Sequence, residues 1–253
     1  MSGRFAGKVA LVTGGGSGIG RETALAFARE GALVAVAGRR REPLEETVRA
    51  IESAGGRALA VAADVTKAGD VARLIDEIGA RWGRLDAAFN NAGILGVPGP
   101  LSDLDPSAWA LVIDTNLTGV WTCMKYEIAY MRKLGGGAIV NMAANIGAHM
   151  TIPGLGAYTA SKAAVSALTR VAALECIKDG IRINAVSPGL VDTTMTLLPG
   201  ETRAERDARL KGAVPAGRIA DPAEIARAVL WLASDEASFA VGHDLVIDGG
   251  ASL

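Results

Sequence analysis

The stretch Val9-Ala10-Leu11-Val12-Thr13-Gly14-Gly15-Gly16-Ser17-Gly18-Ile19-Gly20 decides how the rest of the chain is read. An apolar run of strand length passes through glycines into a segment of helix length, Gly20–Glu30. At such a junction, unpaired backbone N–H groups and the positive end of a helix dipole converge, which suits a phosphate. Gly14 allows the sharp turn, Gly18 lets backbone N–H groups approach a pyrophosphate, and Gly20 lets the helix pack close to the strand. Ser17 and Ile19 lie between them and share the candidate contact. A glycine-rich structural turn is the competing reading. The loop's place at the first strand–helix junction of a series favours the phosphate.

That series runs to the end of the chain. Further apolar runs fall at Leu33–Ala37, Ala58–Ala62, Ala87–Phe89, Ala138–Met142, Arg182–Val186 and Leu245–Ile247. Most are continuously apolar and lack hairpin signals, as expected of parallel strands covered on both faces. Helix-length stretches such as Glu42–Ala54 and Lys67–Arg81 alternate with them. In the first, Leu44, Val48 and Ile51 make one apolar stripe among charges. The expectation is an α/β fold: a doubly wound parallel sheet of about seven strands with helices on both faces. The 253 residues, without a linker or low-complexity tract, read as one domain. Thr193–Arg218 is the least regular segment, polar and punctuated by Pro199, Gly200, Gly212, Pro215 and Gly217. It reads as a flexible substrate flap with a short helix at Arg203–Lys211, or as an ordinary surface excursion.

Composition narrows the function. A net charge of −1 gives no reason to expect nucleic acid or an anionic membrane as partner. Cys123 and Cys176 match no metal or disulfide spacing, which points to a reducing compartment and to no bound metal. The first residues run into the Val9–Thr13 strand pattern with no room for a signal peptide, and no apolar run approaches the ~18 residues of a membrane helix. A cytoplasmic protein is expected. Tyr158 and Lys162 lie four apart in Ala157–Lys178, a helical pattern, so both side chains share one face. A tyrosine titrates near pH ~10, and a neighbouring ammonium would lower that value toward the range of a general base.

Four motifs now stand in order. Thr13-Gly14 through Gly18-x-Gly20, Asn90-Asn91-Ala92-Gly93, Tyr158-x-x-x-Lys162 and Pro188-Gly189 together resemble the classical short-chain dehydrogenase/reductase family. The resemblance implies a Rossmann-type domain, with residues 1–100 mainly binding cofactor and 101–253 carrying catalysis and substrate. It implies hydride transfer between nicotinamide and a small secondary alcohol or ketone. Tyr158 would act as general acid/base, and Lys162 would assist it while holding the nicotinamide ribose. Asn116 would hold a water that relays protons. Asp64 and Val65 would hold the adenine, Asn90 to Gly93 would line the cofactor, and Pro188, Gly189, Val191 and Thr193 would fix the nicotinamide carboxamide. After the second strand the family's NAD-selecting acid is replaced by Gly38, followed by Arg39, Arg40 and Arg41. Loss of the acid removes repulsion of a 2′-phosphate, and guanidinium forks bind phosphate bidentately. NADP(H) is therefore favoured over NAD(H). The resemblance further implies a homotetramer. One interface would use Leu111–Met131 and Ala157–Cys176, where Ala163, Ala164 and Ala167 suit close helix–helix contact, though burial inside one subunit fits them equally well. The other would use Ala223–Leu232 and Asp244–Ile247.

One departure stands out. The family's serine, which donates to the reacting oxygen, falls on Ala144 when aligned through Gly147 and on Asn145 when counted thirteen back from Tyr158. Three explanations compete: an engineered Ser→Ala change, a carboxamide donor at Asn145, or lost turnover. His149 and Met150 follow in the same loop, and with Asn145 and Tyr158 they are expected to face the substrate; a surface role for His149 is the alternative. His243 and the tryptophans Trp82, Trp109, Trp121 and Trp231 read as structural. A cofactor-binding regulatory protein with a weakened site competes with the enzyme. A sugar-nucleotide epimerase is disfavoured by the glycine spacing and the short C-terminal region.

Overall fold

The computed structural model describes residues 3–210 and 212–253. Seven strands form one sheet: β1 (Val9–Thr13), β2 (Leu33–Gly38), β3 (Arg57–Ala62), β4 (Ala87–Asn90), β5 (Gly137–Met142), β6 (Ile181–Pro188) and β7 (Asp244–Ile247). All pair in parallel, in the order β3-β2-β1-β4-β5-β6-β7. The order reverses direction between β1 and β4, the crevice where doubly wound sheets take ligands.

The helices are α1 (Gly18–Arg29), α2 (Arg41–Ser53), α3 (Ala68–Trp82), α4 (Pro106–Ile113), α5 (Gly119–Leu134), the single turn α6 (Asn145–Ala148), α7 (Gly156–Cys176), α8 (Arg203–Leu210) and α9 (Pro222–Ala233). Alternation along each strand sends its side chains to opposite faces. Ala10, Val12, Val34 and Val36 meet Phe27, Leu44, Ile51 and Val229 of α1, α2 and α9. Val9, Leu11, Ala35 and Ile139 meet Leu74, Ile78, Met124 and Val165 of α3, α5 and α7. Both faces are covered, which is why the strands read as unbroken apolar runs rather than alternating ones.

Strand edges differ from the apolar runs by a few residues where a polar residue starts or ends a strand, as Arg57, Asn90 and Asp244 do. The expected helix at Leu111–Met131 is three pieces: α4, a π-helical turn at Asp114–Thr118, and α5. Thr193–Arg218 is more ordered than its composition suggests. It contains a 3₁₀ turn at Thr194–Thr196 and α8, whose Arg206 is almost fully buried. Arg206 donates to Asp192 at 2.7 Å and to Asp207 at 2.7 Å, pinning the segment to the end of β6. Of the helix expected at Arg203–Lys211, Lys211 lies outside the described residues.

Candidate active site

The glycine loop does what its spacing requires. Gly14 and Gly18 have φ of +66° and +52°, in the region open to glycine. A Cβ on Gly20 would stand 2.3 Å from the Gly14 carbonyl oxygen, so α1 reaches the loop only because that position has no side chain. Across the crevice, the Thr13 hydroxyl accepts from the backbone N–H groups of Asn91 at 3.0 Å and Ala92 at 3.1 Å. Asn91 returns its side-chain amide to the Thr13 carbonyl at 2.9 Å. The ends of β1 and β4 are thereby stapled together.

Two cavities of 220 and 230 Å³ share this staple and merge along the C-terminal edge of the sheet. Gly14, Ser17, Ala92, Gly93 and Ile94 wall both. The first extends to Gly38, Arg39, Arg40, Asp64 and Val65. Pro43, Leu44 and Thr115 also line it; their contribution is invisible in the sequence because it depends on where α2 and the π-helical turn dock. Arg39 and Arg40 are exposed, and neither makes an ion pair among the described residues, whereas Arg41 pairs with Glu45 at 2.7 Å. The Asp64 carboxylate spends one oxygen on Thr66, accepting from its N–H at 3.1 Å and its hydroxyl at 2.8 Å.

The second cavity brings together Ile19, Asn91, Ala144, Tyr158, Lys162, Pro188, Gly189, Val191 and Thr193. Met142 and Met195, which sequence reasoning passed over, join its wall. Gly20 lies behind the wall, packed on Gly14. Lys162 is 2% exposed and donates to the Met142 carbonyl at 2.7 Å, with its Nζ 5.8 Å from the centre of the Tyr158 ring. A Cβ on Gly93 would stand 3.2 Å from Asn116 Oδ1, a tight approach, and in ordinary contact with the Lys162 Nζ at 3.6 Å.

Burial acts against the shift expected from the Tyr158–Lys162 spacing. The spacing alone suggests a Tyr158 phenol made acidic by Lys162. Burial instead pushes Tyr158 up to about 12 and Lys162 down to about 8. The cause is common to both: desolvation disfavours each charged form, and the ammonium is aimed at a backbone carbonyl rather than at the phenol oxygen.

Asn116, expected to hold a relay water, spends its side chain on protein groups. It sits fully buried in the π-helical turn, a feature that re-aims side chains at many functional sites. Its Oδ1 accepts from the Ile94 N–H at 2.8 Å, and its Nδ2 donates to the Ile94 carbonyl at 2.8 Å and to Ser161 Oγ at 3.2 Å. Asn116 clamps the wall that both cavities share.

Three other residues expected in the site lie outside the cavity walls. Asn90 points to the opposite face of the sheet, where it donates to Glu127 and Asn141, because it alternates with Asn91 along the chain. Asn145 donates to Asp248 at 3.2 Å and to the Met150 sulfur at 3.2 Å. His149 bonds Asp244 at 3.0 Å. Of the two candidate serine positions, only Ala144 is part of the wall.

Comparison with known proteins shows the family and the fold. Residues 14–252 match a family model described as enoyl-(acyl carrier protein) reductase. Cis-4-hydroxycyclohexanecarboxylate dehydrogenase of Sinomonas cyclohexanicum is 45% identical over 99% of this chain and 98% of its own. The chain is a short-chain dehydrogenase/reductase. Cyclohexanol dehydrogenase of Acinetobacter sp. (strain SE19) is 40% identical over 98% of this chain and 96% of its own. Among solved structures, levodione reductase superposes with a TM-score of 0.93 at 36% identity, covering 98% of each chain. A short-chain type dehydrogenase/reductase from Mycobacterium marinum gives 0.92 at 37% identity, covering 98% of this chain and 96% of that one. This short-chain dehydrogenase/reductase therefore shares its fold, a seven-stranded sheet with helices on both faces, with these solved structures. No helix among the described residues is long and apolar enough to cross a membrane.

Proposed function

We propose that this short-chain dehydrogenase/reductase interconverts a cyclic secondary alcohol and its ketone, with NADP(H) favoured over NAD(H). The observation that carries the reading is that Tyr158 and Lys162 meet the glycine loop and Pro188–Thr193 around one cavity. The dinucleotide, when bound, supplies the hydride donor or acceptor. Tyr158 gives its proton to the developing alkoxide in reduction and takes one from the alcohol in oxidation. A phenol at about 12 is fully protonated at working pH, so reduction needs no prior titration. Oxidation needs added positive charge near the phenol, from Lys162 and from the oxidised nicotinamide. Gly93 to Ile94, clamped by Asn116, forms the shared wall.

The guanidinium groups of Arg39 and Arg40 support the choice of NADP, since they border the cavity and make no ion pair among the described residues. Isothermal binding of NADPH and NADH to the wild type and to Arg39→Ala/Arg40→Ala tests this. The double variant is expected to lose affinity for NADPH at least ~10-fold more than for NADH; equal loss overturns the preference. The cyclic substrate class rests on the ring alcohols for which the relatives above are named and on the apolar wall of Ile94, Ala144 and Met195.

Activity is tested with reduced cofactor and a panel of cyclic ketones. Tyr158→Phe is expected to lower kcat by about 10²–10⁴ with cofactor affinity kept. Unchanged turnover would end the proposal, and failure of both dinucleotides to bind would do the same. Because Ala144 faces the cavity, Ala144→Ser is expected to raise kcat by up to ~10²–10³, the worth of one donor to a developing oxyanion. No gain, with a large loss in Asn145→Ala, would instead assign the donor to Asn145.

The same reading takes residues 1–253 as one cytoplasmic domain assembling as a homotetramer. Two buried free cysteines fit a reducing compartment. Exposed Val171 and Leu174 on α7, with Trp121 on α5, support packing between copies along the expected helices.

A further inference from the structure

Glu127, on α5, is fully buried beneath the sheet with no cation among the described residues to pair with it. β4 presents Asn90 to it, and β5 adds Asn141, which α7 meets through Thr169. α5 itself contributes Met124 and Cys123. Among the described residues Cys123 is the other titratable group facing it, a thiol driven well above its ordinary range by burial and by the nearby carboxyl.

The hydrogens of this cluster can be counted. Asn90 Nδ2 donates to Glu127 Oε2 at 2.9 Å and to Asn141 Oδ1 at 3.0 Å. Asn141 Nδ2 donates to Thr169 Oγ1 at 2.9 Å and to Met124 Sδ at 3.2 Å. Every amide hydrogen is then in use. Two buried oxygens remain without a donor: Asn90 Oδ1 and Glu127 Oε1. Turning the Asn90 amide over does not help, because its oxygen would then face Asn141 Oδ1 and Glu127 Oε2, both acceptors. A proton on Glu127 Oε1 supplies the missing donor and removes an unpaired buried charge in one step.

We propose that Glu127 carries its proton up to neutral pH and, as half of a reciprocal acid–amide pair with Asn90, is a positioning residue for the Asn91–Gly93 cofactor wall. Asn90 immediately precedes that wall, and Asn141–Thr169 continues the network to α7, which bears Tyr158 and Lys162. Burial holds the carboxyl at about 7, in agreement. Ionisation would set two acceptors against each other and release the foot of the loop. The positioning role rests on the dinucleotide reading above; the protonation does not.

The test uses the whole protein and Glu127→Gln, whose carboxamide keeps one donor and one acceptor at every pH. Carbon NMR of carboxyl-labelled glutamates should show one group titrating near pH 7 or above, absent in Glu127→Gln. If all glutamates titrate below ~5.5, the proposal is overturned, whether or not any variant folds. The folded pKa is raised, so stability is full below the ordinary carboxylate range and falls as pH rises through about 7. Glu127→Gln should abolish that slope in Tm. NADPH or NADH affinity should fall about ten-fold in the wild type between pH ~6 and ~9. In Glu127→Gln it should keep only the part due to Lys162, which titrates at about 8. Glu127→Ala should bind weakly at all pH, through cofactor KM rather than kcat. Superimposable wild-type and Glu127→Gln pH profiles would overturn the positioning role. Failure of both dinucleotides to bind would sink the cofactor reading while leaving the carbon titration to decide the proton.

Discussion

Lys162 holds its charge where the fold would rather have none. With its ammonium desolvated and drawn down to about 8, the folded protein disfavours the charged form by about 3 kcal/mol relative to an exposed lysine. That penalty is present below pH 8 and is relieved as pH rises toward the ordinary lysine value, so unfolding stability climbs over that interval. Lys162→Met is therefore expected to match or exceed the wild-type Tm while losing turnover. A fall of more than ~5 °C in calorimetry would show that the lysine is retained for the fold and not for the chemistry.

At the level of the elements, the βα alternation was readable because each strand is covered on both faces and each helix carries one apolar stripe. The glycine loop was readable for a related reason: a Cβ at Gly20 meets backbone, which cannot move aside. Gly20→Ala is expected to abolish dinucleotide binding, and intact affinity by fluorescence would contradict the packing described. The start of α9 offers a milder case. Asp221 accepts from Ala223 at 2.7 Å while Glu224 accepts from the Asp221 N–H at 2.9 Å, a closed capping box. Asp221→Ala should cost about 1 kcal/mol, roughly 2–4 °C of Tm. What stayed hidden depends on contacts distant in sequence. Apolar periodicity runs through Asp114–Thr118 without registering the π-helical turn that buries Asn116. Asn90 and Asn91 look interchangeable until strand alternation sends one to the cofactor groove and the other to Glu127. Asn145 and His149 were expected in the substrate cavity, and nothing local announced Asp248 or Asp244, about a hundred residues on, as their partners.

For the molecule as a whole, the groove crosses from β3 to β6, so a ligand lying in it touches both halves of the sheet. Such a ligand binds the folded state alone and adds RT ln(1 + [L]/Kd) to stability, about 2.7 kcal/mol at a hundredfold excess over Kd. A thermal shift of roughly 5–11 °C is expected with the preferred dinucleotide, measurable by scanning fluorimetry. The Thr13 hydroxyl carries a consequence beyond this. One oxygen atom, on the residue that opens the glycine turn, holds the backbone of both Asn91 and Ala92 across the crevice. The glycine turn and the wall shared by both cavities therefore cannot relax alone, and a disturbance of one should be felt as a displacement of the other.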